Sequence, residues 1–326
     1  MSGVATTLTG AFICSVASVD CDRIAPPDRV IHRAYPGPRG EGEGAGGLRA
    51  GAVGPTGAST CERGPPDNVR SVRMKGERAL VTGSTSGIGR AIATAFAAAG
   101  AAVVITGRDR ARGAAVAREI TSSGGTVRFV PTDLRDEDAC TQLVDGAADR
   151  LGGLTVLVNN AAGGDATDAP IAEMTTEAWD EILRVDLTAP MWCARAAIPH
   201  MRSAGHGAIV NISSRQGERA SPGLSAYVVA KAGMNGLTRA IAVEEATNGI
   251  RCNTISPGYV LNDRRDSDLA PERRDRLEGM HLTRLGEASD VADACIYFAC
   301  KESGFVTGVN LQLDGGSSIA RARTLG

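Results

Sequence analysis

The sequence predicts an α/β protein in which a single doubly wound parallel sheet carries helices on both faces. Two observations predict this class: from Arg78 onward short apolar runs alternate with longer amphipathic segments, and a glycine-rich loop directly follows the first apolar run. A strand, a helix and a second strand in succession imply a right-handed crossover between parallel neighbours. Such a sheet is buried on both faces, which explains why the predicted strands are almost continuously apolar.

The hydrophobic period separates strands from helices along the chain. Short apolar runs indicate buried strands, whereas longer stretches with apolar residues every three or four positions indicate helices. The first kind predicts about seven strands, at residues 79–82, 102–106, 127–131, 155–159, 208–213, 250–255 and 309–313. The second kind predicts helices at residues 88–99, 110–122, 137–151, 176–203, 226–247 and 289–300.

Residues 1–73 differ in composition from the rest of the chain. They hold half of the 14 prolines and show no sustained hydrophobic period. Such a segment cannot bury enough apolar surface to offset its ordering entropy. We therefore predict a disordered extension rich in glycine and proline over residues 1–73, and one folded domain over residues 74–326. Met74 is a candidate for the natural start of translation, and the first residues lack the basic region of a signal peptide.

Charge and composition exclude several classes of function. The net charge of −2 gives no electrostatic footprint for nucleic acid or an anionic membrane. The sequence has no run of about 18 apolar residues, so no transmembrane helix is predicted. The eight cysteines form no C-x-x-C pair, which favours free thiols in a reducing cytosol and a cytoplasmic location. The four histidines lack the spacing of a metal site, so we predict none.

The segment 82–90, TGSTSGIGR, joins the first predicted strand to the first predicted helix. Its glycines permit a tight turn and let backbone amides approach a pyrophosphate at the helix N-terminus. The spacing is Gly-x-x-x-Gly-x-Gly, and the strand-loop-helix context favours a dinucleotide site over a turn without a ligand. The predicted contacts are Gly83, Ser84, Ser86, Gly87, Ile88 and Gly89.

The end of the second strand predicts which dinucleotide binds. An acid there would accept from the adenosine ribose and repel a 2'-phosphate, but none occurs before Asp109. Arg108 can instead pair with a 2'-phosphate, so NADP(H) is preferred and NAD(H) is the alternative. Arg108 at the start of a solvated helix is the competing interpretation. Asp133 is placed either to accept from the adenine amine or to cap the next helix.

Three residues form the predicted reacting centre. Tyr227 and Lys231 lie four positions apart, on one face of a predicted helix. A cation beside a phenol favours the phenolate, which makes Tyr227 a candidate general acid and base. Ser214, at the tip of the strand before that helix, can hydrogen-bond the same substrate oxygen.

These motifs resemble the short-chain dehydrogenase/reductase family over about residues 75–316. Further motifs of that family follow in the same order: NNAAG at 159–163, Arg251-x-Asn253, Pro257-Gly258 and DGG at 314–316. The resemblance implies a Rossmann fold, a nicotinamide cofactor and the interconversion of alcohols and carbonyls. It also implies a homo-oligomer, a tetramer or a dimer, formed through the helices around residues 179–201 and 226–247.

The resemblance also implies roles for individual residues. Tyr227 would protonate the carbonyl oxygen, Lys231 would bind the nicotinamide ribose and stabilise the phenolate, and Ser214 would polarise the carbonyl. Asn159 and its neighbours would stabilise the sheet beside the cofactor. Further implied cofactor contacts are Leu134, Asn160, Ala161, Pro257, Gly258 and Val260.

Two positions depart from the family pattern. Asp186 occupies the place of a catalytic Asn that holds a water linking the lysine to solvent. Its carboxylate can accept from that water but cannot donate, and its charge partly cancels the effect of Lys231 on Tyr227. We therefore expect a working relay with an altered pH optimum. Asn262 replaces a Thr that would contact the carboxamide, and we expect little loss because an amide can replace the hydroxyl.

The substrate loops are predicted at residues 164–170, 215–224 and 259–283, at the carboxyl ends of the strands. The last has nearly balanced charges, which favours a solvated mobile lid over an anion clamp. Met280 and Leu282 would either wall the substrate or pack in the core. Arg215 would either meet an acidic substrate group or, more commonly for such a residue, face solvent.

Three functions fit the sequence. The leading one is an NADP(H)-dependent oxidoreductase acting on a ketone or secondary alcohol, resembling the 3-oxoacyl-thioester reductases, with a small-molecule substrate. A second is an enoyl- or dienoyl-thioester reductase of the same family, since some such relatives carry Asp in place of the catalytic Asn. The third is a non-catalytic dinucleotide-sensing protein. Retention of Ser214, Tyr227 and Lys231 favours the first.

Overall fold

The computed structural model describes residues 73–163, 167–262 and 266–319. Their strands are β1 (Arg78–Val81), β2 (Ala102–Gly107), β3 (Thr126–Pro131), β4 (Val156–Asn159), β5 (Gly207–Ile212), β6 (Ile250–Pro257) and β7 (Asn310–Leu313). All pair in parallel in one sheet, in the order β3-β2-β1-β4-β5-β6-β7. Every predicted strand is present, with ends that differ from the prediction by at most two residues.

Helices cover both faces of this sheet. They are α1 (Gly87–Ala98), α2 (Arg110–Ser122), α3 (Glu137–Leu151), α4 (Thr176–Leu183), α5 (Ala189–Ala204), α6 (Ser225–Glu245), α7 (Pro271–Gly279) and α8 (Ala288–Ala299). One core cluster joins α1, α2 and α8 to one face, and a second joins α3, α5 and α6 to the other. The predicted Rossmann-type fold with a single doubly wound sheet is therefore confirmed.

The strand order reverses at β1, which places a crevice at the carboxyl ends of β1 and β4. β1 pairs with β2 on one side and with β4 on the other, so the chain leaves these strands in opposite directions. Ligands of open parallel sheets bind at such a switch point. The glycine loop after β1 and the NNAAG segment after β4 meet there, since a Cβ on Gly83 would lie 2.7 Å from the Cα of Ala161.

The single helix predicted over residues 176–203 is wrong. The chain forms α4, then a π-helical turn at Arg184–Thr188, and then α5. The amide of Ala189 donates to the carbonyl of Arg184, five residues back, so the turn holds one residue more than an α-helix would. The apolar pattern continues through this turn and therefore gave no sign of it.

The predicted lid, residues 259–283, contains a helix that the sequence pattern did not indicate. α7 begins with Pro271 at its first position, where a missing amide costs nothing. Most of its side chains are charged and only Leu277 is buried, so no apolar period marks it. Residues 263–265 of the lid lie outside the described residues.

Three further predictions concern the N-terminal extension, membrane-spanning helices and metal sites. The proposed extension, residues 1–73, lies outside the described residues except for Arg73. Within 73–163, 167–262 and 266–319, no helix combines the length and apolar content needed to cross a bilayer. The same residues contain no group of histidine, cysteine and carboxylate side chains arranged to hold a metal ion.

Candidate active site

A cavity of about 430 Å³ lies at the carboxyl ends of the strands on either side of the switch point. Most of the predicted dinucleotide contacts line it: Gly83, Ser86, Gly87, Ile88, Gly89, Arg108, Asp133, Leu134, Asn160 and Ala161. Asn262, the second departure from the family pattern, lines it as well. The cavity therefore gathers residues from the loops after five strands of the sheet, β1, β2, β3, β4 and β6.

The glycine loop is shaped for close approach of a phosphate. Gly83 has a φ of +61°, in the left-handed region that favours glycine. A Cβ on Gly89 would lie 2.4 Å from the carbonyl oxygen of Gly83, so this position has no room for a side chain. Ser86 precedes α1 but makes no side-chain cap, which leaves the helix N-terminus to an anionic ligand. The residues present thus fit a dinucleotide pyrophosphate.

Six predicted cofactor contacts do not line this cavity: Ser84, Tyr227, Lys231, Pro257, Gly258 and Val260. Ser84 is fully buried, and its hydroxyl donates to the carbonyl of Val81 and accepts from the amide of Thr106. This hydroxyl joins the ends of β1 and β2, and the neighbouring Thr85 lines the cavity instead. Pro257 ends β6 at the same edge of the sheet, directly before Gly258.

Charged side chains surround the far end of the cavity, next to β2 and β3. Arg108 is exposed and, among the described residues, makes no hydrogen bond or ion pair. Arg112 was not predicted, yet it lines the cavity, and its Nε lies 2.6 Å from the Oδ2 of Asp109. Arg108 is thus the guanidinium whose fork is not already engaged by a carboxylate.

Asp133 and Arg135 face each other in the same part of the cavity. The hydrogen bond from Arg135 lowers the pKa of Asp133, although partial burial opposes the shift. Arg135 also lies 3.5 Å from the carboxylate of Glu181 on α4. The alternative role considered for Asp133, capping α3, falls to Asp136, which accepts from the amide of Ala139 at 2.7 Å.

The predicted reacting residues come together beside β5. Tyr227 lies in the first turn of α6, and the Nζ of Lys231 lies 5.4 Å from the centre of its ring. Lys231 is only 2% exposed and donates from Nζ to the carbonyl of Ile212 at 3.3 Å. Ser214 lies two residues after the end of β5 and precedes a short 3-10 turn, Arg215–Gly217, that packs against α6. Its Oγ accepts from the amide of Gln216, so the hydroxyl proton remains available to a ligand.

Asp186 lies within the π-helical turn and is fully buried. Its Oδ1 accepts from the amide of Gly163 at 2.6 Å, and its Oδ2 lies 3.7 Å from the Nζ of Lys231. Among the described residues, Oδ2 has no hydrogen-bond partner. The structure therefore places the departure from the family pattern beside the lysine and leaves one of its oxygens free to accept.

A buried polar network anchors α6 to the sheet behind this site. Asn159 donates to the side chain of Asn211, which in turn donates to the hydroxyl of Thr238 on α6. Thr238 also shares a hydrogen bond with Thr254 on β6. These hydrogen bonds favour a single arrangement of the elements that carry them, while the Oδ1 of Asn159 has no hydrogen-bond partner among the described residues. Asn159 therefore stabilises the sheet beside the cavity, as the resemblance implied.

The predicted substrate loops are described only in part, because residues 164–166 and 263–265 lie outside the described residues. Arg215 is half-buried and donates to the hydroxyl of Ser317 at 3.3 Å. It thereby links the turn after Ser214 to the C-terminal turn after β7. Met280 and Leu282 are both partly exposed, at 37% and 46%, so neither is a core residue, and neither lines the cavity.

This chain is similar in sequence to known proteins. A family model described as enoyl-(acyl carrier protein) reductase matches residues 83–318. Cis-4-hydroxycyclohexanecarboxylate dehydrogenase from Sinomonas cyclohexanicum is 41% identical over 239 residues, which are 73% of this chain and 95% of that protein. The chain belongs to the short-chain dehydrogenase/reductase family.

Other members of this family agree with the assignment. The NADP-dependent (R)-specific alcohol dehydrogenase of Lentilactobacillus kefiri is 38% identical over 250 residues, which are 75% of this chain and 97% of that protein. A solved structure from Sinorhizobium meliloti 1021, provisionally assigned as a short-chain alcohol dehydrogenase, superposes with a TM-score of 0.70 at 34% identity. The superposition covers 76% of this chain and 98% of the chain from Sinorhizobium meliloti. The predictions of this family and of an oxidoreductase are confirmed.

Proposed function

We propose that this short-chain dehydrogenase/reductase is an NADP(H)-dependent oxidoreductase that interconverts a ketone and a secondary alcohol. The observation that carries the proposal is the buried Lys231 amine, 5.4 Å from the centre of the Tyr227 ring. Burial disfavours the charged form of a lysine, so lysines buried beside another ionisable group occur mostly at functional sites. Here the amine lies beside a phenol that can gain and lose a proton during the reaction.

The proton transfer follows from the chemistry of the three side chains. Tyr227 donates its phenolic proton to the carbonyl oxygen during reduction and takes a proton from the alcohol during oxidation. Lys231 stabilises the phenolate that forms in the first case. Ser214 donates a hydrogen bond to the same substrate oxygen and stabilises its developing negative charge. NADP(H), when bound, supplies or accepts the hydride at the substrate carbon.

Asp186 adds a step that the usual Asn would not. Its free Oδ2 is directed at Lys231 and can accept a proton from the lysine or from a water between them. Its Oδ1 is held by the amide of Gly163 in the segment that lines the cofactor cavity. We propose that Asp186 carries protons between Lys231 and solvent and keeps Lys231 charged.

The preference for NADP(H) rests on the far end of the cavity. Among the described residues, Arg108 makes no hydrogen bond or ion pair with a carboxylate, and Arg112, in the first turn of α2, also lines the cavity. A 2'-phosphate would give the Arg108 guanidinium a hydrogen-bonded anionic partner. The Lentilactobacillus kefiri relative is NADP-dependent by name, which supports the same preference.

The substrate class is supported by relatives that act on hydroxyl groups. Besides the two dehydrogenases above, 7alpha-hydroxysteroid dehydrogenase from Clostridium sardiniense is 36% identical over 249 residues. All three carry names that refer to a hydroxyl compound or an alcohol. A secondary alcohol, or the corresponding ketone, is therefore the first substrate to test.

Reduction of an enoyl thioester is the second candidate function. The family model that matches the chain carries that description, and Asp186 stands where some enoyl and dienoyl reductases have the same residue. Ser214 weighs against it, because a hydroxyl that polarises a substrate oxygen serves carbonyl reduction directly. A protein that senses the dinucleotide without turnover would have no use for the pairing of Tyr227 with Lys231.

A substrate panel distinguishes these functions. NADPH oxidation is followed at 340 nm with cyclic ketones, a 3-oxoacyl thioester and an enoyl thioester, and NADP⁺ reduction is followed with the matching alcohols. Each assay is repeated with NADH or NAD⁺. Turnover of ketones and alcohols with NADP(H) supports the proposal, and turnover of the enoyl thioester alone overturns it. Binding of NADPH without any turnover indicates a sensor.

We also propose that the enzyme works as a homo-oligomer whose contacts include α6. Val229 and Val243 on this helix are exposed, at 44% and 80%, and both are branched apolar side chains. Burying them against a second copy removes apolar surface from water. Light scattering after size exclusion tests this, and a monomer at micromolar concentration refutes it.

A further inference from the structure

The helix that carries Tyr227 begins without a cap of its own. The residue before its first turn is Leu224, which makes no side-chain hydrogen bond to the helix and has no polar group to make one. The first four amides of a helix have no partner within the helix and need an acceptor from elsewhere. Most helices take it from the preceding Ser, Thr, Asp or Asn, as α3 does from Asp136 and α4 from Thr175.

Asp168, far upstream in the sequence, supplies the missing acceptor for α6. Its Oδ2 accepts from the amide of Tyr227 at 2.9 Å, and its Oδ1 accepts from the amide of Ala226 at 3.1 Å. Oδ1 also accepts from the amide of Ala169, which fixes the carboxylate relative to its own backbone. Both carboxylate oxygens are therefore engaged, and the negative charge lies at the positive end of the helix dipole.

We propose that Asp168 is a positioning residue for Tyr227: from the segment after β4, its carboxylate holds the first turn of α6 through the backbone amide of Tyr227 itself. This inference rests on the proposed function, in which Tyr227 transfers the proton.

The rest of the helix explains why the first turn needs this contact. One turn later, the carbonyl of Lys231 accepts from Ser213, and its Nζ donates to Ile212, so β5 holds this part of α6. The turn that carries Tyr227 lies before that anchor, at the free end of the helix. Among the described residues, Asp168 is the side chain that bonds the amides of this end. Loss of the bonds would free Tyr227 to move relative to Lys231.

The same segment also contacts the other carboxylate of the site. Gly163, at the end of the NNAAG motif, donates its amide to Asp186, and five residues later Asp168 accepts from Tyr227. The segment after β4 thus lines the cofactor cavity and forms hydrogen bonds with both Asp186 and the first turn of α6. Residues 167–170 belong to a predicted substrate loop, so a substrate that presses on this loop would also act on the position of Tyr227.

The substitutions Asp168→Ala and Asp168→Asn test the proposal. Removing both acceptors in Asp168→Ala lowers kcat about tenfold to a hundredfold, because a small displacement of a reacting group has a cost of that order. The amide of Asp168→Asn keeps one acceptor, and kcat falls about threefold. The KM for NADPH stays within about twofold of wild type in both, since Asp168 does not line the cofactor cavity.

Asp136→Ala is the matched control. It removes an aspartate cap from α3, a helix that carries none of the reacting residues. Its melting temperature falls by a similar amount, but kcat stays at the wild-type value when the protein is assayed well below that temperature. If Asp168→Ala retains wild-type kcat, or if Asp136→Ala loses as much activity, the positioning role is refuted.

Amide hydrogen exchange separates this inference from the proposed function. Peptides that cover residues 225–228 exchange faster in Asp168→Ala than in wild type, and at the wild-type rate in Asp136→Ala. If wild type turns over no substrate on the panel, the proposed function fails, while faster exchange still supports the contact. If exchange at 225–228 is unchanged in Asp168→Ala, the inference fails whatever the activity.

Discussion

The reacting end of the site, formed by Tyr227, Lys231 and Asp186, holds its charges differently from the adenosine end of the cavity. At the reacting end, Lys231 and Asp186 are 2% and 0% exposed, and their charged atoms lie 3.7 Å apart. At the adenosine end, the side chains of Arg112 and Arg135 are 42% and 45% exposed. Breaking a buried pair by removing one partner costs about 3–5 kcal/mol, whereas an exposed pair contributes about 1 kcal/mol or less.

This difference in burial determines which side chains of the site can be replaced without disturbing the fold. Side chains at the reacting end are held by backbone carbonyls and amides, so replacing one leaves polar groups without partners in a place that excludes water. Side chains at the adenosine end are screened by solvent and can be exchanged with little effect on the fold. We therefore expect substitutions at the reacting end to change catalysis, and substitutions at the adenosine end to change cofactor preference.

The largest effect should come from Tyr227→Phe. This change removes the proton donor and keeps the ring that packs beside Lys231, so kcat should fall at least about a thousandfold. NADPH binding, followed by cofactor fluorescence, should stay within about twofold, because the ring and the ribose-binding amine remain. A Tyr227→Phe enzyme with wild-type turnover would show that the reacting end does not work through this phenol.

An intermediate effect is expected for Arg108→Ala. Loss of the free guanidinium should raise the KM for NADPH about tenfold to a hundredfold while leaving that for NADH within about twofold. The control is Arg118→Ala, an exposed arginine on the following helix, α2, that does not line the cavity. Equal changes for both cofactors would mean that Arg108 does not recognise the 2'-phosphate.

The smallest effect is expected for Asp186→Asn, and it should appear in the pH dependence. Asn keeps an oxygen for the amide of Gly163 but removes the negative charge beside Lys231. Removal of this charge changes the electrostatic environment of the proton transfer, so the pH-rate profile of alcohol oxidation should differ from that of wild type. Turnover at the optimum should stay within about threefold.

The matched control for this measurement is Asp180→Asn, at an exposed position on α4. Its profile should coincide with that of wild type. Coinciding profiles for Asp186→Asn and wild type would instead show that the buried pair does not influence the proton transfer. The expected difference in catalysis between the reacting end and the adenosine end would then depend on Tyr227 alone.

Most of the fold could be predicted from the sequence, because buried parallel strands are short continuous apolar runs. Both ends of α2 and α3 were predicted to the residue, since Asp109 and Asp136 directly precede them and act as caps. The glycine loop and the Ser214, Tyr227, Lys231 set were recognisable because their spacing along the chain is short and their order is that of the family. The strand order was not predicted and comes from the structure.

The remaining features depend on contacts between distant parts of the chain. The contact of Asp168 with Tyr227 joins residues 59 positions apart, and no local pattern marks an aspartate that caps another helix. The π-helical turn at Asp186 leaves the apolar period almost unchanged, so residues 176–203 gave the pattern of one helix. Arg112 pairs with Asp109 at the spacing of an ordinary helix pair, and only the fold shows that it lines the cavity.

The burial of Lys231 has a consequence for chemical modification. The chain has lysines only at positions 75, 231 and 301, and of these Lys75 and Lys301 are exposed. An amine-reactive ester applied to the folded enzyme would therefore acylate Lys75 and Lys301 and spare Lys231. Dyes or a solid support attached through lysine would sit away from the reacting centre, and acylation of Lys231 would report unfolding.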